Sequence, residues 1–183
     1  LFISLLSILS FSTAVAQQLA ENQRLVGYST TDSITISGAA FGQAGTYTIG
    51  ALLSPRMLSS YSGCKIVGLR IAAATNLGRS RTFIYNIANG SMQPVIEQNQ
   101  RLYEGWNSIF FNGEGITIND SDNLFFGFDY VETQEMISAD MGGLCCVGSD
   151  VDGGFYYYGS YNNRTDLFQI TDVGCLCVQL IVD

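Results

Sequence analysis

The chain contains no histidine, which excludes Ser-His-Asp and Cys-His catalytic arrangements and every metal site with an imidazole ligand. Its five cysteines show no Cys-x-x-Cys spacing of the kind that binds zinc. No glycine-rich loop leads into a helix, as a phosphate-binding loop would require. Nothing among the sixteen acidic residues singles out a pair for glycoside hydrolysis. We therefore predict that the chain is not an enzyme, with a carboxylate-pair glycoside hydrolase as one alternative.

Basic residues are also few. Eight Lys and Arg stand against sixteen Asp and Glu, which gives a formal net charge of −8. Such a chain repels a phosphate backbone and lacks the basic patch that nucleic-acid binding needs. Nucleic acid is therefore excluded as an expected partner.

The first sixteen residues are uncharged and apolar, and they end in the small-x-small pattern Ala14-Val15-Ala16. This pattern is typical of a signal peptide before its cleavage site, and the run is too short for a membrane span. We predict a signal peptide at 1–16 that is truncated at its N-terminus, and a short lead at 17–23. The protein is then exported to the cell surface, the extracellular space or the periplasm.

The remainder, residues 24–183, is expected to form one β-sandwich module. The sequence stops at Asp183 on a strand-like pattern, so we expect it to be clipped there, with other domains of the same polypeptide as neighbours.

Helical periodicity is nearly absent, and short alternating runs are separated by Gly, Asn, Asp and Ser. This pattern is typical of an all-β fold with two packed sheets. One helical turn is predicted after Ser54, with Pro55 in its first turn. The predicted strands are Arg24–Ser29, Gly45–Leu53, Lys65–Ala73, Thr82–Ile87, Met92–Gln98, Asn107–Asn112, Asn123–Val131, Gly142–Val147, Phe155–Tyr158, Leu167–Ile170 and Cys175–Val182.

Two segments resemble a known family. "LLSPRMLSSYSGCKIVGLRI" (Leu52–Ile71) combines a helical turn, a Tyr-x-Gly corner and an amphipathic strand, and "LYEGWNSIFFNGEGITINDSDNLFFGFDY" (Leu102–Tyr130) combines Gly-Trp-Asn with an aromatic strand. Both are similar to the jelly-roll modules of secreted proteins of anaerobic Gram-negative bacteria, such as the cleaved-adhesin domains of gingipain-type proteases. The pairs Cys145-Cys146 and Cys175-x-Cys177 depart from that pattern. The resemblance implies a jelly-roll-like antiparallel sandwich, a non-catalytic adhesion or accessory role and, in some members, structural calcium.

Interior positions follow from the apolar runs. The single tryptophan, Trp106, could stack on a sugar ring or pack in the core, and we favour the core. Ile66 breaks the alternation of Leu69 and Ile71, which predicts a bulge there. The residues expected in the interior are Trp106, Ile109, Phe111, Ile66, Leu69, Ile71, Phe126 and Phe128.

The segment "GGFYYYGSY" suggests a contact surface. On a strand, Phe155 and Tyr157 face one way while Tyr156 and Tyr158 face the other. We predict that one pair fills the core and that the second lies near the surface. The predicted ligand-contacting residues, for a glycan or a host or matrix protein, are Tyr156, Tyr158, Tyr161 and Asn162; the alternative is a tyrosine pair that only covers a sheet edge.

Carboxylates cluster at Asp140, Asp150 and Asp152, and "SDVDGG" resembles part of a calcium loop. Two interpretations stay open: a structural calcium ion bound by these three residues, or a solvated acidic loop. No other cofactor is expected.

Five cysteines leave at least one unpaired if all bridges are internal. On strands, Cys145 and Cys146 point to opposite faces, while Cys175 and Cys177 share one face. We favour buried thiols, although a bridge from the first pair to the second is geometrically conceivable.

Together these observations predict a non-catalytic binding, adhesion or accessory module of a larger exported protein. A structural spacer that positions a neighbouring peptidase or repeat domain is the second alternative beside the glycoside hydrolase.

Overall fold

The computed structural model describes residues 19–29, 32–159 and 164–183. Short helices are α1 (Pro55–Leu58), a 3-10 turn (Ser59–Tyr61) and α2 (Gln134–Ser138). The strands in chain order are β1 (Arg24–Val26), β2 (Ile36–Ala39), β3 (Gly45–Leu53), β4 (Lys65–Ala73), β5 (Gly78–Ala88), β6 (Ser91–Leu102), β7 (Gly105–Phe110), β8 (Ile116–Thr117), β9 (Leu124–Glu132), β10 (Leu144–Val147), β11 (Tyr156–Gly159), β12 (Arg164–Gln169), β13 (Cys175–Leu176) and β14 (Val178–Val182).

The strands form two antiparallel sheets that pack against each other. The eight-stranded sheet has the order β1-β14-β4-β10-β13, with β2 paired to β10 and with β7 and β8 paired to β4. The six-stranded sheet has the order β12-β11-β3-β9-β5-β6. The predicted all-β, two-sheet antiparallel sandwich is therefore confirmed.

The main core lies between the inner faces of the two sheets. In the six-stranded sheet Ile49 of β3 pairs with Phe128 of β9, and both are fully buried. In the eight-stranded sheet Leu69 of β4 pairs with Ile109 of β7 in the same apolar cluster. Alternation along each strand sends every second residue into this core, so the opposite faces are left to other contacts.

The hairpin between β5 and β6 is built on the dipeptide Asn89-Gly90. Both residues have positive φ, at 52° and 73°, which is the conformation that a two-residue turn of type I′ needs. The pairing begins with Ala88 opposite Ser91 and continues to Gly78 opposite Leu102. The turn thus fixes which residues of β6 share a face with β5.

Other element predictions have mixed outcomes. The helical turn exists as α1, with Ser54 as N-cap and Pro55 in its first turn, although the Ser54 side chain makes no capping hydrogen bond. Helix α2 was not predicted; the Thr133 hydroxyl caps it by accepting from the Met136 N–H at 3.2 Å. Strands β2 and β8 were also missed: β2 (ISGA) has a single large apolar residue, and β8 has only two residues.

The prediction that Trp106 packs in the main core is wrong. Trp106 pairs with Ala72, whereas the core residue Ile109 pairs with Leu69. Three positions separate Trp106 from Ile109, and an odd spacing on one strand puts two side chains on opposite faces. Trp106 therefore lies half-buried on the outer face of the eight-stranded sheet, in a separate cluster.

The remaining interior predictions hold. Six of the expected residues are buried in the main core, and Phe111 packs against it while only partly buried. Pairing between β14 and β4 shifts register between Ile181 and Val182, opposite Gly68 and Ile66. This irregularity is the predicted bulge, and it allows Ile66 and Leu69 to point into the same core. The six buried residues are Ile66, Leu69, Ile71, Ile109, Phe126 and Phe128.

No helix within the described ranges is long and apolar enough to cross a membrane.

Candidate functional site

The outer face of the six-stranded sheet carries a second apolar cluster, which we call the outer aromatic cluster. Its buried members are Phe83 and Tyr85 of β5 and Phe125 of β9. Half-buried side chains surround them, contributed by five strands of this sheet: Leu52, Ile87, Met92, Tyr156, Tyr158 and Leu167. An outer face that is this apolar is unusual for a sandwich, whose outward positions are normally polar.

The rings of this cluster pack in a continuous row. The ring centroids of Phe83 and Tyr85 are 4.8 Å apart with nearly parallel planes, and those of Phe83 and Phe125 are 5.2 Å apart. The Phe125 and Tyr158 centroids follow at 6.4 Å with a 60° tilt. These separations are typical of favourable aromatic pairs, so the row holds Tyr158 in a defined position.

An open cleft of about 680 Å³ lies beside this row, between β11 and β12 on one side and the β5–β6 hairpin on the other. Its volume is within the range of small-ligand sites. Two acidic residues, Glu97 and Asp166, line it together with apolar and aromatic side chains. The lining residues are Tyr85, Ile87, Gly90, Ser91, Met92, Pro94, Glu97, Tyr158, Asp166 and Leu167.

Glu97 is held in place from two directions. The Tyr85 hydroxyl donates to its Oε1 at 2.5 Å, and Arg81 Nη1 donates to the same oxygen at 2.8 Å. The Glu97 side chain nevertheless keeps 41% of its surface exposed. A fixed carboxylate at the wall of a cleft can accept hydrogen bonds from a ligand without the entropy cost of ordering a long side chain.

Arg81 connects Glu97 to further polar side chains on the outer face. Its Nε and Nη2 donate to the two carboxylate oxygens of Asp129 at 2.8 and 3.1 Å. The Thr48 hydroxyl donates to Asp129 Oδ1 at 2.8 Å. The bidentate contact with Asp129 fixes the guanidinium plane, and Arg81 in turn orients Glu97.

The environment of the Tyr85 hydroxyl favours its protonated form. Desolvation by burial raises the pKa of Tyr85, and the hydrogen bond to Glu97 raises it further. A protonated phenol remains a donor to Glu97 at neutral pH, so the carboxylate geometry is preserved there.

The two described tyrosines of the predicted contact surface have different surroundings. Phe155 and Tyr157 are buried in the main core, while Tyr156 and Tyr158 are half-buried on the outer face, as the alternation predicts. Tyr158 lines the cleft. Tyr156 instead donates to Asp152 Oδ1 at 2.9 Å, and burial together with this bond raises its pKa to about 12.

Tyr161 and Asn162, also predicted to contact a ligand, lie outside the described residues.

The three aspartates of the predicted calcium site take separate roles. Asp150 accepts backbone N–H groups of Asp172 and Gly174 at 2.5 and 2.7 Å, and these bonds lower its pKa. Asp152 accepts from Tyr156, and Asp140 follows α2 beside a different, small cavity of about 90 Å³.

No group of three or more His, Cys, Asp or Glu in the described ranges is arranged to hold a metal ion. The carboxylate oxygens of Asp150 already serve a turn. Asp140, Asp150 and Asp152 do not form one group of ligands in the described part of the chain, and calcium binding stays a prediction.

Sequence reasoning missed most of the cleft, including Tyr85, Glu97 and Asp166. One available pattern was the alternation of Phe83, Tyr85 and Ile87, which marks an apolar outer face on β5. Combined with the Asn-Gly turn, it predicts which β6 residues lie opposite. Glu97 pairs with Phe83 in the structure. Because the register shifts between Ile84 and Tyr85, counting residues back from the turn would have given Phe83 the wrong partner.

Comparison of the chain with protein-family models, with curated proteins and with solved structures yields no match.

Proposed function

We propose that the chain is a non-catalytic binding module that takes a glycan in the cleft on the outer face of the six-stranded sheet. The observation that carries this proposal is that the half-buried ring of Tyr158 and the fixed carboxylate of Glu97 line the same open cleft. A phenolic ring offers an apolar face to the C–H side of a sugar, and a carboxylate accepts hydrogen bonds from its hydroxyls.

The charges favour an uncharged or weakly basic ligand. Among the described side chains that line the cleft, Glu97 and Asp166 are acidic and none is Lys or Arg. The nearby cation, Arg81, is engaged by Asp129 and Glu97. An anionic sugar would therefore meet like charge in the cleft. Supporting the proposal from the sequence are the predicted leader and the resemblance to adhesin-like modules of exported proteins.

The binding role is tested on a glycan array that also carries host matrix proteins, followed by calorimetric titration of the best neutral oligosaccharide. We expect Tyr158→Ala to weaken binding at least about tenfold, equivalent to roughly 1.4 kcal/mol. The matched control is Tyr103→Ala, since Tyr103 is 53% exposed and does not line the cleft.

Each outcome separates the alternatives. Binding that Tyr158→Ala and Tyr103→Ala reduce equally would place the ligand elsewhere. An array with no bound ligand would favour a spacer that positions a neighbouring domain. Turnover of an oligosaccharide that Glu97→Gln abolishes would overturn the non-catalytic assignment in favour of a glycoside hydrolase.

A further inference from the structure

Cysteines meet on the outer face of the eight-stranded sheet, apart from the cleft. Cys145 of β10 and Cys177, between β13 and β14, form a buried cluster with Ala72. Trp106 packs against this cluster, and the Arg70 guanidinium carbon lies 4.4 Å from the Trp106 ring centroid. All five cysteines are free thiols in the structure.

The strand register places Cys145 opposite Cys177. Strands β10 and β13 pair Cys146 with Leu176 and Val147 with Cys175. The ladder continues by one residue, because the Cys177 N–H donates to the Cys145 carbonyl at 2.9 Å. Residues opposite each other on antiparallel strands have Cα atoms about 4.5–5.5 Å apart, which lies within the range that a disulfide spans.

The other cysteines are less suitable partners. Cys146 points to the opposite side, into the main core with Leu176. Cys175 lies opposite Val147, and its thiol donates to the Ser149 carbonyl at 3.5 Å. Cys64 precedes β4 and packs against the main core. Cys145 and Cys177 are therefore the pair that the register brings together.

We propose that Cys145 and Cys177 form an intramolecular disulfide when the chain folds in the presence of a disulfide oxidant. The bond would join β10 to the last strand region under Trp106 and leave three cysteines as thiols. The proposal does not depend on the glycan role of the cleft.

The chemistry is thiol–disulfide exchange with a low-molecular-weight disulfide such as oxidised glutathione. One cysteine thiolate attacks the glutathione disulfide, forms a mixed disulfide and releases one glutathione thiolate. The second cysteine thiolate attacks the cysteine sulfur of that mixed disulfide and releases the second glutathione. The protein loses two protons and two electrons, and one oxidised glutathione becomes two reduced molecules.

Burial determines when this exchange occurs. Cys145 and Cys177 are at most 1% exposed, and desolvation raises the pKa of Cys177 to about 12. Few thiolates form in the folded, reduced protein, and oxidants do not reach them. The bond is therefore expected to form during folding, while reduced protein that is already folded oxidises slowly.

The test is refolding of the reduced full chain from denaturant in a buffer of reduced and oxidised glutathione. The product is alkylated in denaturant, and intact mass spectrometry counts the alkyl groups. With five cysteines and one bridge, we expect three alkyl groups on the native sequence. Each single serine variant removes one cysteine, and the count then identifies the bridged pair.

Cys146→Ser and Cys175→Ser should keep the bridge and carry two alkyl groups. Cys145→Ser and Cys177→Ser should lose it and carry four. Because a serine variant could lose the bridge by failing to fold, fragment ions of the native linked peptide are also mapped. Alkyl groups on Cys146 and Cys175 support the proposal; alkyl groups on Cys145 or Cys177, or five in total, overturn it.

Discussion

A glycine in the middle of the six-stranded sheet provides a stringent test of this architecture. Gly127 of β9 pairs with Gly50 of β3, within a ladder that runs from Gly45 opposite Glu132 to Leu53 opposite Leu124. A Cβ added at Gly127 would lie 2.0 Å from the Ile49 carbonyl oxygen and 2.6 Å from the Gly50 Cα. These are backbone atoms, so Gly127→Ala forces two central strands apart.

The size of the effect follows from the cost of overpacking. Added atoms that shift the backbone typically destabilise a protein by about 1–3 kcal/mol. For a protein of this length each kcal/mol lowers the melting temperature by roughly 2–4 °C, so we expect a loss of roughly 2–12 °C. Gly127 also pairs with Phe83 of β5, on the side of β9 away from β3. A backbone shift at Gly127 should therefore also disturb the packing of Phe83 in the outer aromatic cluster.

Gly45→Ala in β3 is the matched control. A Cβ there would have the Tyr47 hydroxyl oxygen as its nearest neighbour, at 3.6 Å, which is an ordinary contact. Gly→Ala in an unstrained position stabilises by about 0.4–1 kcal/mol through the unfolded chain. Thermal and urea unfolding of both variants measure the difference. A Gly127→Ala protein as stable as Gly45→Ala would refute the close approach of β3 and β9.

Three further predictions concern the outer surfaces. Asp150→Asn should lower the stability of the protein above the ordinary aspartate pKa of about 4, because the turn N–H groups favour the carboxylate. As the pH falls through the lowered folded pKa, the native protein loses this advantage. The unfolding curves of the native protein and the variant should then converge. Because Asp150 already accepts two turn N–H groups, we expect melting curves in calcium and in chelator at matched ionic strength to coincide; a calcium-induced increase would support the predicted calcium site. Arg70→Met should cost about 1 kcal/mol and shift the emission of the single tryptophan to longer wavelength, since the guanidinium covers one face of Trp106; unchanged emission would contradict that contact.

Strand-level features were predictable from local sequence. The bounds of β3 and β4 agree with the prediction, because a turn glycine precedes each strand, Gly42 and Gly63, and apolar residues then follow within one short window. The Asn89-Gly90 turn was predictable because few dipeptides accept two positive φ values. The faces of Phe155 to Tyr158 also followed, since alternation needs no knowledge of neighbouring strands.

The position of Trp106 shows where this reasoning fails. An apolar residue near the start of an apolar strand was assigned to the core, but the strand's parity puts it on the outer face beside Ala72. Parity is local information, so this position could have been predicted. What could not be predicted is that the outer face there is covered, with Arg70 over the ring and the Asp32 carbonyl accepting from the indole N–H at 3.3 Å.

By itself, the sequence determined the all-β class, the missing imidazole chemistry, the acidic charge and the alternation of tyrosines, because these depend on composition or on neighbours along one strand. Tertiary structure alone decided that Tyr158 of β11 shares a cleft with Glu97 of β6, and that Cys145 lies opposite Cys177. Both depend on strand order and register between segments distant in the chain. Those are set by the packing of the whole sandwich, and many pairings are compatible with the same local pattern.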